Sequence, residues 1–395
     1  MKTVANGASV IGFMHNVGED EVATRPFELH RLVPMARVLA DFGSELFAFC
    51  PDQVDLDEAT VAGYTVGRDG FERCRRAVPA VSGDWYLGRN RTRRANGLSR
   101  RGYHRWARRR GLEIDSDHRL SRLLKDKLRT FTVIEETAPG LHPPTRLYDG
   151  SAAALEDALG QCTRVFLKPL RGNMGNGVIV AKRERSRIRL CLYDAGRRIE
   201  HSARSVRAAT AWIEARRDPR AYVIQHGVDM PRHEDGAFVV RTIVVDDGER
   251  WRPMHKAVLA PPGGDVANTT QLGSNHRLSD LLIRLYGVAE APTLQARVEE
   301  ASLAVARAFD RRFPGRVMEL GLDLLLDVDG RAHLIEANTK PGMMKPGLPK
   351  DGFPNIFDLS ADEMVVYGNL VAPHATYLAH YLQTRLTSGG ARRAA

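Results

Sequence analysis

The chain has 395 residues and a formal net charge of +10 at pH 7. This length can bury more than one core, so we expect two to three domains. No apolar run approaches the roughly 18 residues of a membrane span, and no charged-then-apolar leader opens the chain, which argues against membrane and secreted proteins. The four cysteines form no CxxC pair, so neither a zinc knuckle nor a redox centre is indicated, and we expect a cytoplasmic protein with no membrane partner.

The positive charge is concentrated in one segment. Residues Arg89 to Arg110 include ten arginines and no acidic residue, which equals the excess of the whole chain. A field of this sign attracts anions, so nucleic acid or acidic small molecules are candidate partners. A solvated Arg-rich segment before a domain boundary explains the same composition.

The first hundred residues suggest a small α/β domain. Val10–Met14 is a short apolar run, Phe27–Phe42 has apolar residues at helical spacing, and Glu45–Cys50 reads as a strand. Strand, helix and strand in this order predict a βαβ unit in a small parallel sheet. The loop His15–Asp20 follows the first strand, where such folds bind ligands, but it lacks GxGxxG and gives no support for a dinucleotide site.

A domain boundary is predicted near residue 115. The stretch 61–90 has several turn signals, and 112–114 is a candidate last strand before the boundary. Helices are predicted over 120–135 and 152–159 on the other side. We therefore predict domains at 1–115 and 116–385, followed by a disordered tail at 386–395.

A glycine-rich segment in the second domain suggests phosphate binding. Val165–Leu170 is a strand carrying Lys168, Arg171–Gly177 is a glycine-rich loop, and Val178–Lys182 is again a strand. Walker A loops and dinucleotide fingerprints lead into a helix, so neither template applies. Glycine amides can still approach phosphates closely, and Lys168 would add a positive charge. A plain hairpin turn is the alternative.

A second hairpin would bring two cations together. Phe238–Val245 and Trp251–Leu259 flank Asp247-Gly248, a dipeptide that favours a tight turn. With the turn there, Arg241 faces Met254 and Lys256 falls on the same face one step along. Solvated basic residues on an exposed sheet are the alternative.

The last hairpin aligns two carboxylates. Its strands meet at Asp329-Gly330, which favours a two-residue turn. With that turn Val328 pairs with Arg331, and counting outward places Asp323 directly opposite Glu336. Cross-strand neighbours have Cβ atoms about 5 Å apart, so the two carboxylates would share one face of the hairpin.

The two faces of this hairpin differ in chemistry. The polar face holds Asp323, Glu336 and Asn338, and oxygen ligands of this kind suit Mg²⁺. The apolar face is expected to pack onto a core and to hold Leu322, Leu324, Leu326, His333, Ile335 and Ala337. A wet polar face without a metal is the alternative.

The order of these segments resembles the ATP-grasp superfamily, and more narrowly its YheC/YheD-like branch. The resemblance is carried by KDKLRTFTVI, LKPLRGNMGNGV, YVIQHGVDM, FVVRTIVV and ELGLDLLLDVDGRAHLIEANTKPG, and it covers about residues 115 to 385. It implies an α+β ATP-grasp domain of two subdomains that clasp ATP, preceded by a small Rossmann-like α/β (pre-ATP-grasp) domain. The branch usually has an Asp where this chain has Val239.

The resemblance also implies roles for individual residues. ATP phosphates would contact Lys127 and Lys168, with Gly172, Asn173, Gly175 and Gly177 in a mobile phosphate loop. The adenine-reading hinge would include Gln225, His226 and Val228. The metal ligands would be Asp323, Glu336 and Asn338, and the catalytic residues would be Arg241, Lys256 and Asn268.

The function that follows is an expectation. It is an ADP-forming carboxylate–amine ligase that uses ATP and Mg²⁺, or Mn²⁺ in its place, and forms an acyl phosphate from small-molecule substrates. The alternatives are an ATP-grasp small-molecule kinase and a non-catalytic ATP-binding protein. Nucleic acid or a tRNA-linked substrate bound through Arg89 to Arg110 is a weaker alternative partner, and the sequence leaves a homodimer open.

Overall fold

Three β-sheets organise the protein. The structure is a computed structural model that describes residues 9–15, 32–67, 70–84, 100–115, 118–172, 175–194, 196–232, 236–267, 274–339, 341 and 372–393. Each sheet is built from one continuous stretch of the chain, in the order first, second and third. Helices cover the sheets and bury their apolar faces in several clusters.

The first sheet is mixed and belongs to the predicted N-terminal domain. Its strand order is β4-β3-β2-β1-β5-β6, with β1 parallel to β2 and β5, and β3 antiparallel to β2 and β4. The elements are β1 (Ser9–Met14), α1 (Val33–Asp41), β2 (Ser44–Asp55), β3 (Thr60–Val66), β4 (Phe71–Ala77), β5 (Val81–Asp84), α2 (Arg100–Arg109) and β6 (Glu113–Asp115). The predicted βαβ unit is confirmed, and the stretch that sequence left unassigned supplies three strands. Residues 16–20 and 89–99 lie outside the described residues.

The second sheet is antiparallel throughout and forms a small lobe. Its order is β11-β10-β9-β8-β12-β7. Its elements and the two helices before it are α3 (His118–Leu124), α4 (Lys127–Glu135), β7 (Thr145–Tyr148), α5 (Ala152–Gln161), β8 (Arg164–Pro169), β9 (Val178–Glu184), β10 (Arg187–Asp194), β11 (Arg197–Ala203), α6 (Val206–Glu214) and β12 (Tyr222–His226). The single helix predicted over 120–135 is two helices, because Asp126 caps α4 by accepting a hydrogen bond from the Arg129 amide.

The third sheet carries the two hairpins singled out in the sequence. Its order is β15-β14-β13-β16-β17. The elements are β13 (Phe238–Asp246), β14 (Trp251–Leu259), β15 (Ser274–His276), α7 (Leu278–Tyr286), α8 (Ala291–Arg312), β16 (Glu319–Leu326), β17 (Ala332–Asn338) and α9 (Ala372–Arg393). Helices α7 and α8, which the sequence analysis left unassigned, share a hydrophobic core with this sheet.

Helix α9 connects the third sheet to the first. It runs to Arg393, so residues 386–393 are helical and the predicted disordered tail is wrong over that range. The helix continues past residue 385 because Leu386, like Leu378 and Leu382 before it, packs against a core that also holds Phe13 of β1 and Ile243 of β13. One core therefore crosses the boundary that we placed near residue 115.

The last hairpin has a longer turn than predicted. The Asp327 amide donates to the Arg331 carbonyl at 3.0 Å, so three residues form the turn, and Gly330 takes a φ of 72°. A register shift between Asp323 and Leu324 adds one residue to β17, and Asp323 then pairs with Glu336 as predicted. The predicted pairing of Val328 with Arg331 is therefore wrong. The predicted register of the two carboxylates is nevertheless confirmed, because the extra residue in the turn and the extra residue in the bulge offset each other.

The bulge changes which residues of β17 enter the core. Leu334 is fully buried there, where the two-residue turn predicted Ile335. Ile335 lies instead beside Glu336 on the wall of a cleft. His333 bonds to the Asp327 carboxylate at 3.0 Å, so its predicted place on the core face is also wrong.

The other hairpin is shifted by two residues. The Asp247 amide donates to the Arg250 carbonyl at 3.1 Å, so the turn is centred on Gly248-Glu249. Arg241 therefore faces Lys256, and the predicted partner Met254 faces Ile243. A shift of two residues preserves the face on which a side chain lies, so the two cations still lie on one face.

The turn at Gly330 gives a test of this hairpin. A Cβ at Gly330 would overlap Leu294 Cδ2, whereas Gly140 has a similar φ of 74° and nothing within 4 Å of its added Cβ. We expect Gly140→Ala to lose about 1 kcal/mol from backbone strain alone, and Gly330→Ala to lose about 1–3 kcal/mol more from overpacking. Urea denaturation of both variants measures the difference, and equal losses would contradict the described packing of the turn.

Candidate active site

A row of four charged side chains crosses the third sheet. Lys256 pairs with Arg241, Arg241 with Asp323, and Asp323 with Glu336, so the row runs over β14, β13, β16 and β17 at one level. Arg241 holds Asp323 with both ends of its guanidinium: Nη2 donates to Oδ2 at 2.8 Å and Nε donates to Oδ1. The row therefore places two cations beside two carboxylates.

Burial and neighbouring charge set the protonation of the cations in this row. The Asp323 carboxylate raises the pKa of Arg241, which stays charged. Burial, assisted by the charge of Arg241, lowers the pKa of Lys256 to about 7. Lys256 is only 5% exposed and is the most deeply buried cation of the row.

A cleft of about 920 Å³, open solvent included, lies between residues of the second and third sheets. Nine predicted site residues line it: Lys127, Lys168, Gly172, Gly175, Gln225, His226, Val228, Asp323 and Glu336. Gly177, Arg241, Lys256 and Asn338 are not part of its lining. Asn173 and Asn268 lie outside the described residues.

Two lysines lie at the glycine-loop end of the cleft. Lys168 Nζ donates to Gln225 Oε1 at 2.6 Å, and Lys127 Nζ donates to the Gly172 carbonyl at 3.2 Å. Burial lowers the pKa of Lys168 to about 7, and the charge of Lys127 acts in the same direction. The carboxylates of Glu336 and Asp323 oppose this shift, so Lys168 faces the acidic part of the row across the cleft.

The backbone after β12 offers an open donor to the cleft. The His226 amide donates to the Pro144 carbonyl at 2.9 Å, and the Gly227 amide donates to the Arg164 carbonyl at 2.7 Å. Within the described part of the chain, the Val228 amide has no such acceptor. Val228 lines the cleft, so its N–H is an amide that a ligand can use.

An ion-pair network that was not predicted from the sequence lies at the rim of the cleft. Asp265 Oδ1 accepts from Arg164 at 2.8 Å and from Arg232 at 3.0 Å, and the Asp265 amide donates to the Tyr193 hydroxyl at 2.9 Å. This network ties the second sheet to the loop after β14. Strand alternation from Lys168 could have identified Arg164 and Phe166 as cleft residues, since all three lie on one face of β8.

Three oxygen donors at the acidic end of the row fit a hard divalent cation. Asp323 and Glu336 supply carboxylates, and the buried Asn338 Oδ1 has no hydrogen-bond partner in the described part of the protein. The missing side chain of Gly321 makes room for this amide, because a Cβ there would lie 2.9 Å from Oδ1. Each Asp323 oxygen keeps a lone pair after bonding Arg241, so the donor set suits Mg²⁺.

The described residues contain no group of three His, Cys, Asp or Glu side chains arranged to hold a metal. The set above is consistent with that finding because its third donor is an amide.

The Arg241–Asp323 pair should be essential to the row. Asp323→Leu would leave Arg241 and Lys256 buried without their nearest counter-charge, so we expect the free energy of unfolding to fall by about 3 kcal/mol. The double variant Arg241→Met with Asp323→Leu removes both charges and should be closer to the parent. Denaturant unfolding of the four proteins of this double-mutant cycle measures the coupling, and additive losses would show that the two side chains act independently.

Comparison with known proteins identifies the family. A family model described as YheC/D like ATP-grasp matches residues 119–351. The endospore coat-associated protein YheD of Bacillus subtilis (strain 168) is 20% identical over 313 residues, which cover 76% of this chain and 65% of that protein. The chain thus spans about 65% of the length of this curated relative.

Solved structures extend the likeness to the fold. D-alanyl-alanine synthetase A from Vibrio cholerae O1 biovar eltor str. N16961 aligns with a TM-score of 0.50 and 10% identity, over 96% of this chain and 99% of that one. The VanG D-Ala:D-Ser ligase from Enterococcus faecalis aligns with a TM-score of 0.49 and 13% identity, over 95% of this chain and 100% of that one.

Among the described residues, none of the helices has the length and apolar character needed to span a membrane.

The family match begins at α3, before the second sheet, and extends past the hairpin of β16 and β17. It therefore spans both walls of the cleft. The chain has the ATP-grasp fold, preceded by an N-terminal α/β sheet, and belongs to the YheC/D-like ATP-grasp family.

Proposed function

We propose that this protein is an ADP-forming ligase that joins a carboxylate to an amine by way of an acyl phosphate. The observation that carries the proposal is the pairing of two opposite walls in one cleft. Lys127 and Lys168 stand on one wall, and Asp323 and Glu336 stand on the other. Phosphoryl transfer from ATP requires cations that bind the phosphates and, facing them, carboxylates that hold a metal ion.

The cleft supports one orientation of the nucleotide. The Val228 amide is the free donor of the hinge, so it would bind an acceptor nitrogen of adenine. Phe166 and Ile335 offer apolar surface in the same cleft. The phosphates would then extend toward Lys168, Lys127 and the loop from Gly172 to Gly177, whose glycines let backbone amides approach closely.

Asp323, Glu336 and Asn338 would hold Mg²⁺, with Mn²⁺ as a substitute. When bound, the ion neutralises the phosphate charge during transfer. Arg241 fixes the orientation of Asp323 through its two hydrogen bonds. A carboxylate already fixed in place loses less conformational entropy when it takes up a ligand.

The reaction needs no protein nucleophile. A substrate carboxylate oxygen attacks the γ-phosphorus and ADP leaves. The substrate amine then attacks the acyl carbon, and inorganic phosphate leaves as the C–N bond forms. The residues would contribute positioning and positive charge, from Lys168 in the cleft and from Arg241 and Lys256 behind it. Asn268 remains the candidate on the acceptor side, and Val239 lines the cleft where the family pattern has Asp.

A phosphate-release screen tests the proposal. The protein with ATP and Mg²⁺ is offered amino acids, di-acids and peptides, and every hit is analysed by mass spectrometry. A ligase releases phosphate and forms an amide. A stable phosphorylated product would identify a kinase instead, and no release with any pair would favour a non-catalytic ATP-binding protein.

Glu336→Gln tests the metal assignment. We expect turnover to fall at least about 100-fold, because the metal loses a charged ligand, while the unfolding midpoint changes little. Glu300→Gln on the exposed side of α8 is the matched control and should keep full activity. Normal ATP consumption by Glu336→Gln with every substrate present would refute the assignment.

The pKa of Lys168 predicts a pH-dependent nucleotide affinity. Burial lowers this pKa to about 7, so Lys168 is charged in the free protein below that pH and neutral above it. Phosphates favour the charged form, and affinity for Mg-ADP should therefore fall as pH rises through about 7. Lys168→Arg stays charged throughout and should remove this part of the dependence. Calorimetric titrations of both proteins from about pH 6 to 8 measure it, and parallel profiles would contradict the role of Lys168.

A further inference from the structure

The small lobe carries a second excess of positive charge. Residues 145–228 contain 16 Lys and Arg against 8 Asp and Glu. The net charge of the chain hides this excess, because the regions outside this lobe and outside residues 89–110 are acidic in total. The lobe is therefore a separate cationic body from the Arg-rich segment that the sequence analysis singled out.

Most acids of the lobe are already paired. Six of them form ion pairs, which are Asp157–Arg146, Glu156–Arg183, Glu184–Arg189, Glu200–Arg198, Glu214–Arg217 and Asp218–Arg220. A second group of exposed basic side chains has no carboxylate within 4 Å among the described residues, namely Lys182, Arg185, Arg187, Arg197, Arg204 and Arg207. The lobe therefore presents six exposed cations that no described carboxylate neutralises.

The strand register places four of these arginines at one end of the sheet. Ile188 of β10 pairs with Ala203 of β11, so Arg187 and Arg204, the next residues along, lie side by side where these strands end. Arg185 stands in the turn between β9 and β10, and Arg207 is in the first turn of α6. Like charges this close repel one another, so the arrangement favours binding of an anion.

An open strand edge leads to this arginine cluster. Strand β11 is the outermost strand of its sheet, and residues 197 to 202 are all exposed. One side of β11 pairs with β10, and the other side presents backbone N–H and C=O groups to solvent. An extended polypeptide can satisfy such groups by adding a strand. Ile199 lies near the middle of β11, is 44% exposed, and offers an apolar contact to a polypeptide bound along this edge.

We propose that the β11 edge is a docking site for an acidic polypeptide segment, which adds beside β11 and places carboxylates against Arg187 and Arg204. The occupant is a polypeptide because only a polypeptide can use the open hydrogen-bonding edge. Single-stranded nucleic acid would need an exposed ring for base stacking, and Trp212 of this lobe is covered, with His201 stacked at 5.4 Å and Arg216 at 4.5 Å. The proposal concerns binding alone and does not depend on the ligase reaction.

Fluorescence anisotropy with a labelled peptide of about twelve alternating Glu and Thr residues tests the charge requirement, and the Gln and Thr peptide is its neutral partner. The full-length protein should bind the acidic peptide at least about tenfold more tightly, and binding should weaken with added salt. Arg187→Glu with Arg204→Glu should lose at least about tenfold in affinity. The control Arg307→Glu with Arg311→Glu changes the net charge equally on the exposed side of α8 and should bind normally.

Peptides methylated at alternate backbone nitrogens test the strand pairing. Two such peptides carry the methyl groups in opposite phase, and only one phase leaves free the N–H groups that face β11. Edge pairing predicts that one phase binds like the parent and the other at least about tenfold more weakly. Equal binding of both phases, an equal loss in the α8 control, or tighter binding of a single-stranded RNA of equal charge would each overturn the proposal. ATP hydrolysis by the Arg187 and Arg204 variant, followed separately, should be unchanged.

Discussion

The ion pair between Arg241 and Asp323 is the interaction on which the candidate site depends. It joins β13 to its neighbour β16 in the third sheet and holds two cations and two carboxylates at one level. A charge buried alone would be costly, and Arg241 and Asp323 neutralise each other at the centre of the row. The pair also fixes the direction of the Asp323 carboxylate before any ligand arrives. The same ion pair therefore both neutralises buried charge and sets the geometry of the site.

This constraint requires a sheet that is held rigidly from both sides. Helices α7 and α8 fill one face, and the core shared by α9 and the first sheet includes Ile243 and Val245 of β13. Polar contacts add to that core: Ser44 donates to Gln383 at 2.8 Å, and His374 bonds to Glu319 at 2.7 Å. The N-terminal sheet thus supports the third sheet directly, which explains why its core is continuous with that of the ATP-grasp region.

The charge of the protein is divided by region rather than spread over the surface. The cleft combines buried lysines with a carboxylate pair, and the outer edge of the small lobe presents arginines that no described acid neutralises. These two environments differ in solvent exposure. Burial lowers the pKa of Lys168 in the cleft, whereas the exposed arginines act on anions over a distance that salt shortens. One lobe therefore contributes both to the cleft and to the separate edge that we propose as a docking site.

Local sequence determined the elements and the chemistry of the site. Alternation and turn signals identified the strands of both hairpins, and Lys168, Asp323 and Glu336, which the motifs singled out, line one cleft. The alternation of side chains between the two faces of a strand explains which predicted positions were correct. The two-residue error in the β13–β14 register kept Arg241 and Lys256 on one face, whereas the one-residue bulge in β17 exchanged Ile335 for Leu334 in the core.

Tertiary structure decided the partners. Periodicity could not show that Arg241 holds Asp323, that Gln225 holds Lys168, or that the tail expected after residue 385 continues α9 against the first sheet. These contacts join residues far apart in the chain, and they depend on strand order and on the packing of whole faces. A short window of sequence contains the residue types and their spacing, but it does not contain the neighbours that the folded chain brings to them.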